Sequence, residues 1–191
     1  FALTSYGVIR EILGDASDEF LCIDVGSEIT EVGISRNGSL EKTVSFPHGK
    51  SSFMRNLLGT TGGMFPHVNS EINIWGRGHS HEDSNREDNI LRAGEAWRNN
   101  FGSEVFARAA GLPRCKAGLP QKIFIISDED VAPVYYRLMQ NAKVPELSQY
   151  IPEIKSMAPV LLRDFVKDKS GTRDDSFLMM EAMFINKIVK N

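Results

Sequence analysis

Long apolar runs are absent from this chain of 191 residues. None approaches the roughly 20 residues that a membrane-spanning helix needs, and no basic segment followed by an apolar stretch marks a signal peptide. Cysteine is scarce. Cys22 and Cys115 follow no metal spacing and suggest no disulfide framework. Cys22 lies in an apolar run and reads as a small buried hydrophobe, which fits a reducing, cytoplasmic setting. Positive charge is not in excess either. Lys+Arg 22 against Asp+Glu 25 leave a net charge of -3, with no basic field to hold nucleic acid. Trp75 and Trp97 are too few and too far apart to stack bases. Residues 24–30 form no Walker A loop, since the Lys-Ser/Thr pairing is absent there, and no Gly-x-Ser-x-Gly elbow surrounds Ser51 or Ser52.

What is present suits a layered α/β domain. Hydrophobic residues make up 41% of the chain, enough for one substantial core or a core with a small appendage. The opening, Phe1-Ala-Leu-Thr-Ser5, reads as the interior of a structured protein, so the chain is expected to be cut from a longer one. Residues 4–13 have helical apolar spacing, and Gly14 supplies a stop. Phe20-Leu-Cys-Ile-Asp-Val25 reads as a buried strand, Ile29–Ser35 alternates as a second, and Leu40–Phe46 forms a third. Asn37-Gly38 between the latter two is a hairpin signal, so residues 20–46 are expected to form an antiparallel meander. Pro47 and Gly49 break it. Phe53, Met54, Leu57 and Leu58 then predict a helix over 51–59, capped by Ser51 and Ser52.

Residues 60–83 read as a loop or short appendage. Ser84 and Glu87 form a capping-box pattern opening a helical stretch with Ile90, Trp97, Phe101 and Val105, which Gly94 and Gly102 can interrupt. Trp97 is expected to pack from its helix. Trp75 is expected either in the core or on a partner surface. Lys122–Ser127 predicts a strand in the same sheet. Asp128-Glu-Asp130 leads into a helix with Pro133 in its first turn, where a missing N–H costs little. Residues 144–171 read as irregular or short elements, and residues 173–190 as a helix. Strands with flanking helices give the layered architecture.

One segment carries chemistry: Asp24-Val-Gly-Ser-Glu-Ile-Thr30. An aspartate ending a buried strand before a glycine turn can stand beside a phosphate-bound Mg²⁺, meeting it directly or through water. Gly26, lacking Cβ, lets backbone N–H groups approach phosphate oxygens, and Thr30 offers a hydroxyl. A plain structural hairpin accounts for the same residues, since Asp and Gly are ordinary turn formers. His79, His81, His67 and Cys115 are the other metal-ligand types. Their short spacing in a Gly/Ser/Asn-rich stretch reads as a solvated loop. His48 reads as a surface residue at the hairpin exit or as a neighbour of a bound anion.

Asp24 through Leu40, continuing to Phe46-Pro-His-Gly49, resembles the second phosphate-loop region of the bacterial actin-like proteins FtsA and PilM. The shared pattern is an Asp-x-Gly-x-x-x-Thr turn, a strand, a Gly-x-Leu hairpin, another strand and a Gly-containing helix entry. The resemblance is specific over residues 20–58 and looser over 122–140 and 172–190. Ser45-Phe-Pro-His-Gly49 and Ser176-Phe-Leu-Met-Met-Glu-Ala-Met-Phe184 are more similar to divergent PilM-like members. The resemblance implies an actin-like (ribonuclease-H-like) mixed sheet flanked by helices. Its core subdomain would comprise residues 1–59 and 118–191, with a partly helical insertion or reduced subdomain over 60–117.

The resemblance also implies ATP and Mg²⁺ as cofactors, with Asp24, Gly26, Ser27 and Thr30 at the nucleotide and Asp24 at the metal. It implies a cytoplasmic protein at the inner face of the membrane, with pilus or division assembly proteins as partners and self-association in some members. No membrane insertion by this segment is expected. Two departures bear on activity. Ser27, Glu28 and Ile29 replace further glycine after the first turn, and Ser127-Asp-Glu-Asp130 replaces a Gly-Gly turn under the adenosine. An assembly scaffold with a reduced nucleotide site is therefore expected. An active ATPase driving assembly is the alternative, with a sugar-kinase-like phosphotransferase third.

Overall fold

The computed structural model describes residues 4, 7–10, 19–62, 70, 72, 75–76, 84–106, 120, 122–127, 132–140, 153–157, 181–182 and 185. The apolar run at the start of the meander forms β1 (Phe20–Val25). It pairs antiparallel with β2 (Ile29–Arg36), placing Leu21 opposite Ile34, Ile23 opposite Val32 and Val25 opposite Thr30. Opposed residues share a face, so Leu21, Ile23, Val32 and Ile34 enter one core layer. β3 (Ser39–Pro47) pairs antiparallel with β2 and adds Val44 and Phe46 to that layer. Asn37 (φ 49°) and Gly38 (φ 68°) join the two strands with both central residues at positive φ, as an Asn-Gly hairpin requires. The expected meander is present. A register shift at Ile34/Ser35 bulges the pair near its hairpin end.

β4 (Lys122–Ile126) lies parallel to β1 on its other side, as expected of residues 122–127. The sequence of residues 144–171 specifies no definite strand. The structure places β5 there (Glu153–Met157), parallel to β4. The sheet order is β3-β2-β1-β4-β5. β1 is central and covered on both faces, which explains why its sequence is apolar almost throughout.

Among the described residues, four helices of defined bounds cover the face bearing Leu21 and Ile23. They are α1 (Lys50–Thr61), α2 (Ser84–Ala93), α3 (Glu95–Asn100) and α4 (Ala132–Gln140). α3 runs on into a wider π-type turn, Phe101–Phe106. Phe53 and Leu57 of α1, Ile90 of α2, Trp97 of α3, Phe101 and Val105 beyond it, and Tyr135 and Leu138 of α4 share one core with the sheet. Residues of the 60–117 region thus pack directly on the meander.

An aromatic cluster joins these elements. Trp97 stacks on Phe101 with ring centres 5.3 Å apart and meets Tyr135 edge-on at 5.0 Å. Tyr135 reaches Phe53 at 6.0 Å, and Trp97 reaches Phe46 at 6.3 Å. Such pairs add roughly 0.5–1.5 kcal/mol each beyond area burial. Trp75 is wholly buried, which settles its two expectations in favour of the core. Its Nε1 donates to Glu87 Oε1 at 3.1 Å, while the Arg137 guanidinium lies 4.5 Å from its ring centre and bonds the same carboxylate. Glu87, expected in a capping box, therefore ties α2 to Trp75 and α4.

The opposite sheet face carries Phe20 and Phe124, edge-on at 5.7 Å, with Cys22 directly across the ladder from Phe124. In the N-terminal helical turn, Val8 and Ile9 are wholly buried, and Arg10 donates to the Gly38 carbonyl. The helix expected over 173–190 lies outside the described residues except for Glu181, Ala182 and Ile185, which are helical.

Candidate phosphate-binding turn

β1 and β4 are parallel and end at the same edge of the sheet, at Val25 and Ile126. That edge is where open α/β sheets place ligands, because strand ends and the following turns leave a crevice there. Asp24 is half-buried, one residue before the end of β1, on the face opposite the aromatic cluster. Glu31 of β2 stands directly across the ladder from it, so two carboxylates share that face. Ser127, just past β4, is buried and donates to the Val25 carbonyl at 3.4 Å. The acidic turn Asp128–Asp130 lies outside the described residues.

The turn between β1 and β2 is closed by Gly26 N–H donating to Ile29 O at 3.0 Å. Its own carbonyls then receive the start of α1. Glu28 O accepts from His48 and Gly49 N–H at 3.1 Å each, Gly26 O from Lys50 N–H at 2.9 Å, and Ser27 O from Ser51 N–H at 2.8 Å. The hairpin backbone thus caps the helix. The expected side-chain caps do other work: Ser51 Oγ pairs with Ser27 Oγ at 2.8 Å, and Ser52 Oγ donates to Gly49 O at 2.8 Å. This close backbone contact is possible because position 49 has no Cβ. One placed there would sit 2.4 Å from Gly26 O and 2.5 Å from Ser27 O. Gly26 is less crowded, since its Cβ would meet Ile29 O at 3.0 Å. The glycine that permits close approach within this structure is Gly49, expected from the sequence as a strand breaker and helix entry rather than as a contact point.

The four expected site residues fall into two groups. Asp24, Gly26 and Ser27 lie at the sheet edge, with Ser27 exposed. Thr30 points the other way and is wholly buried in the core. Its Oγ1 donates to His48 O at 2.8 Å and accepts from Trp97 Nε1 at 3.0 Å. The hydroxyl proton is therefore engaged inside the protein, behind the turn rather than on its outer face.

Glu28 brings an exposed carboxylate to the turn. Its carboxylate pairs with Arg55 of α1 at 3.2 Å. That bond, followed by one from Ser51, holds the carboxyl below its usual range. Both partners are well exposed, so the pair offsets charge locally but contributes little to stability. Among the described residues, no acceptor meets the N–H of Ser27 or Glu28. Two outward backbone donors and the Ser27 hydroxyl are suited to phosphate oxygens, and Asp24 suits a Mg²⁺ that keeps most of its water. No cluster of three or more His, Cys, Asp or Glu that could hold a metal occurs among the described residues. His67, His79, His81 and Cys115 lie outside them.

No protein-family model matches the sequence, and no curated protein is similar to it. Solved structures are similar in fold. The PilM-PilN type IV pilus biogenesis complex matches over 96% of this chain and 48% of that one, at 13% identity and a TM-score of 0.56. The fold is actin-like. The ethanolamine utilization protein EutJ from Carboxydothermus hydrogenoformans matches at 14% identity over 80% of this chain and 48% of that one, with a TM-score of 0.49. A putative N-acetylmannosamine kinase from Listeria monocytogenes matches at 13% identity over all of this chain and 64% of that one, with a TM-score of 0.49. The actin-like chain spans about half the length of the first two. No helix among its described residues is long and apolar enough to cross a membrane.

Proposed function

We propose that this chain is the nucleotide-facing part of an actin-like assembly scaffold of the PilM type, with a phosphate turn too weak to support ATP turnover alone. The observation that carries this reading is the turn at residues 26–28. It sits at the carboxyl edge of parallel strands β1 and β4 with Asp24 at its base, yet its carbonyls are committed to the start of α1. Phosphate oxygens would meet the Ser27 and Glu28 N–H groups and the Ser27 hydroxyl. Asp24 would meet Mg²⁺ through water, and Thr30 would hold the turn from inside. ATP and Mg²⁺ are the matching ligands, with the metal supplying charge neutralisation when bound.

A nucleotide cleft with catalytic power needs donors and metal fixed from more than one side. Among its described residues this chain contributes a single such turn, and it matches 48% of the PilM-PilN chain. The likeness in fold to that complex supports a pilus assembly protein as partner, and the resemblance of residues 20–58 to PilM and FtsA adds division assembly proteins, self-association and a place at the cytoplasmic face of a membrane to the proposal.

Calorimetry and phosphate release with Mg²⁺–ATP on the 191-residue chain test the reading. The expected result is no release and a dissociation constant weaker than about 1 mM. Micromolar binding with turnover would overturn it in favour of an active ATPase.

A further inference from the structure

A hydrogen-bonded chain runs from the helical segment into the turn. Trp97 Nε1 donates to Thr30 Oγ1 at 3.0 Å, Thr30 Oγ1 donates to His48 O at 2.8 Å, and His48 N–H donates to Glu28 O at 3.1 Å. Trp97 is 2% exposed and Thr30 wholly buried, so water cannot readily replace either partner. A hydroxyl has one proton to give and lone pairs to receive. With the proton on His48 O, Thr30 is left to accept the indole N–H, and an apolar residue at position 30 would strand both ends.

His48 is the strained link. Its φ is 124°, a value that residues with a side chain rarely adopt, and it persists only where the surroundings fix it. Bonds on both sides of the residue do so here, from its N–H to Glu28 and from Thr30 to its carbonyl. The indole is in turn oriented by its stack on Phe101 and its edge contact with Tyr135.

We infer that Trp97 is a positioning residue for the 26–28 turn, its indole N–H fixing the His48 peptide through Thr30 and so coupling α3 to the turn. Coupling of this kind is reciprocal. A change that withdraws Trp97 releases the turn, and a ligand that reorders the turn reaches Trp97. The second half of that statement rests on the proposed phosphate-facing role of the turn. The first does not.

Amide exchange followed by NMR tests the relay in Trp97→Phe, Thr30→Val and Thr30→Ser. The first keeps an aromatic ring against Phe101 but removes the donor. The second removes the hydroxyl, and the third keeps it. Trp97→Phe and Thr30→Val are expected to speed exchange at His48, Gly49, Lys50 and Ser51 roughly tenfold, as for a lost buried hydrogen bond, while Ile123–Ile126 stay unchanged. Thr30→Ser is expected to restore wild-type exchange at the turn. Uniform acceleration across the sheet, no change at the turn, or failure of Ser to rescue would overturn the relay.

Magnesium pyrophosphate is the ligand probe. Shifts at the Ser27 and Glu28 amides should be accompanied by a shift of the Trp97 indole N–H, and Thr30→Val should abolish the indole shift. Turn shifts without an indole response in the wild type would overturn the coupling. Absence of any turn shift would count against the phosphate reading and leave the relay to be decided by the exchange pattern.

Discussion

Replacing Gly49 with Ala removes no bond and introduces one methyl group, yet it should be among the most damaging small changes available. Gly49 has φ -103° and ψ -160°, extended values open to any residue, so backbone conformation gives no reason for glycine. The reason is space. The new Cβ would lie 2.4 Å from Gly26 O, 2.5 Å from Ser27 O and 2.6 Å from Ser27 C, all backbone atoms. Restoring a carbon–oxygen separation near the van der Waals optimum would move the turn by about 1 Å. That displacement takes bonds of 2.8–3.1 Å beyond useful hydrogen-bond length.

Four backbone bonds are at stake, from the N–H groups of His48, Gly49, Lys50 and Ser51. At roughly 0.5–1.5 kcal/mol each, their loss costs about 2–6 kcal/mol. The turn is exposed and water recovers part of this, so about 3 kcal/mol is expected. For a domain of this size that lowers the Tm by about 6–12 °C. Urea denaturation followed by circular dichroism measures it, with Gly26→Ala as the comparison. The Gly26 methyl would meet one carbonyl at 3.0 Å and should cost about 1 kcal/mol or less. A Gly49→Ala protein within 1 kcal/mol of wild type, or a larger loss at Gly26, would refute the close-approach argument.

Tyr135 is buried with its hydroxyl unpaired among the described residues, and burial pushes its pKa up. Tyr135→Phe should therefore be neutral or stabilising by up to about 1–2 kcal/mol in urea denaturation, and a loss above about 1 kcal/mol would reveal a bond that the cluster depends on. Burial is also the main cause that pushes the Cys22 thiol up to about 12. In a Cys115→Ser background, Cys22 should resist a thiol reagent at pH 8 until denaturant is added. Any stability linked to this thiol is present below its unfolded pKa and falls as pH rises above it; rapid native-state labelling would contradict the burial. Glu28 is held below its ordinary value of 4.5, chiefly by Arg55. Its contribution is present above the unfolded pKa and disappears as pH falls through the lower folded one, so Arg55→Met should raise its NMR titration midpoint. An unchanged midpoint would remove Arg55 as the cause.

The meander was readable because its signals are local. Alternation in Ile29–Ser35 and Leu40–Phe46, and the positive-φ pair Asn37-Gly38, specify strands and turn without distant partners. α1 and α4 were readable from their apolar spacing. β5 was not, because Glu153-Ile-Lys-Ser-Met157 has neither a continuous apolar run nor several β-branched residues, and its strand identity comes from pairing with β4. The turn was legible as a place but not as a mechanism. Nothing in the sequence says that Gly49 lies against Ser27, or that Trp97 reaches Thr30 from 67 residues away. Thr30 illustrates the limit well. A threonine after a glycine turn fits phosphate or core equally, and only the face it occupies on β2 separates them.

The packing of the turn on α1 also determines how a phosphate could be held here. The first amides of a helix, with the positive end of its dipole, are ordinarily the strongest backbone site for an anion. In this fold the α1 amides of Lys50 and Ser51 are bonded to Gly26 O and Ser27 O, so an anion could use that end only by displacing the hairpin. What remains is the outer side of the turn, with the N–H groups of Ser27 and Glu28 and one serine hydroxyl. Arg55, the nearby guanidinium, is bonded to Glu28 and brings no net positive charge with it. Two amides and a hydroxyl in water contribute modestly, each exchanging one hydrogen bond for another. Affinity in the range of a working ATPase therefore requires charge and donors from beyond this turn. The bonds that hold the turn on α1 are the same ones that keep the helix end from a ligand, which supports the proposed scaffold reading over a self-sufficient nucleotide site.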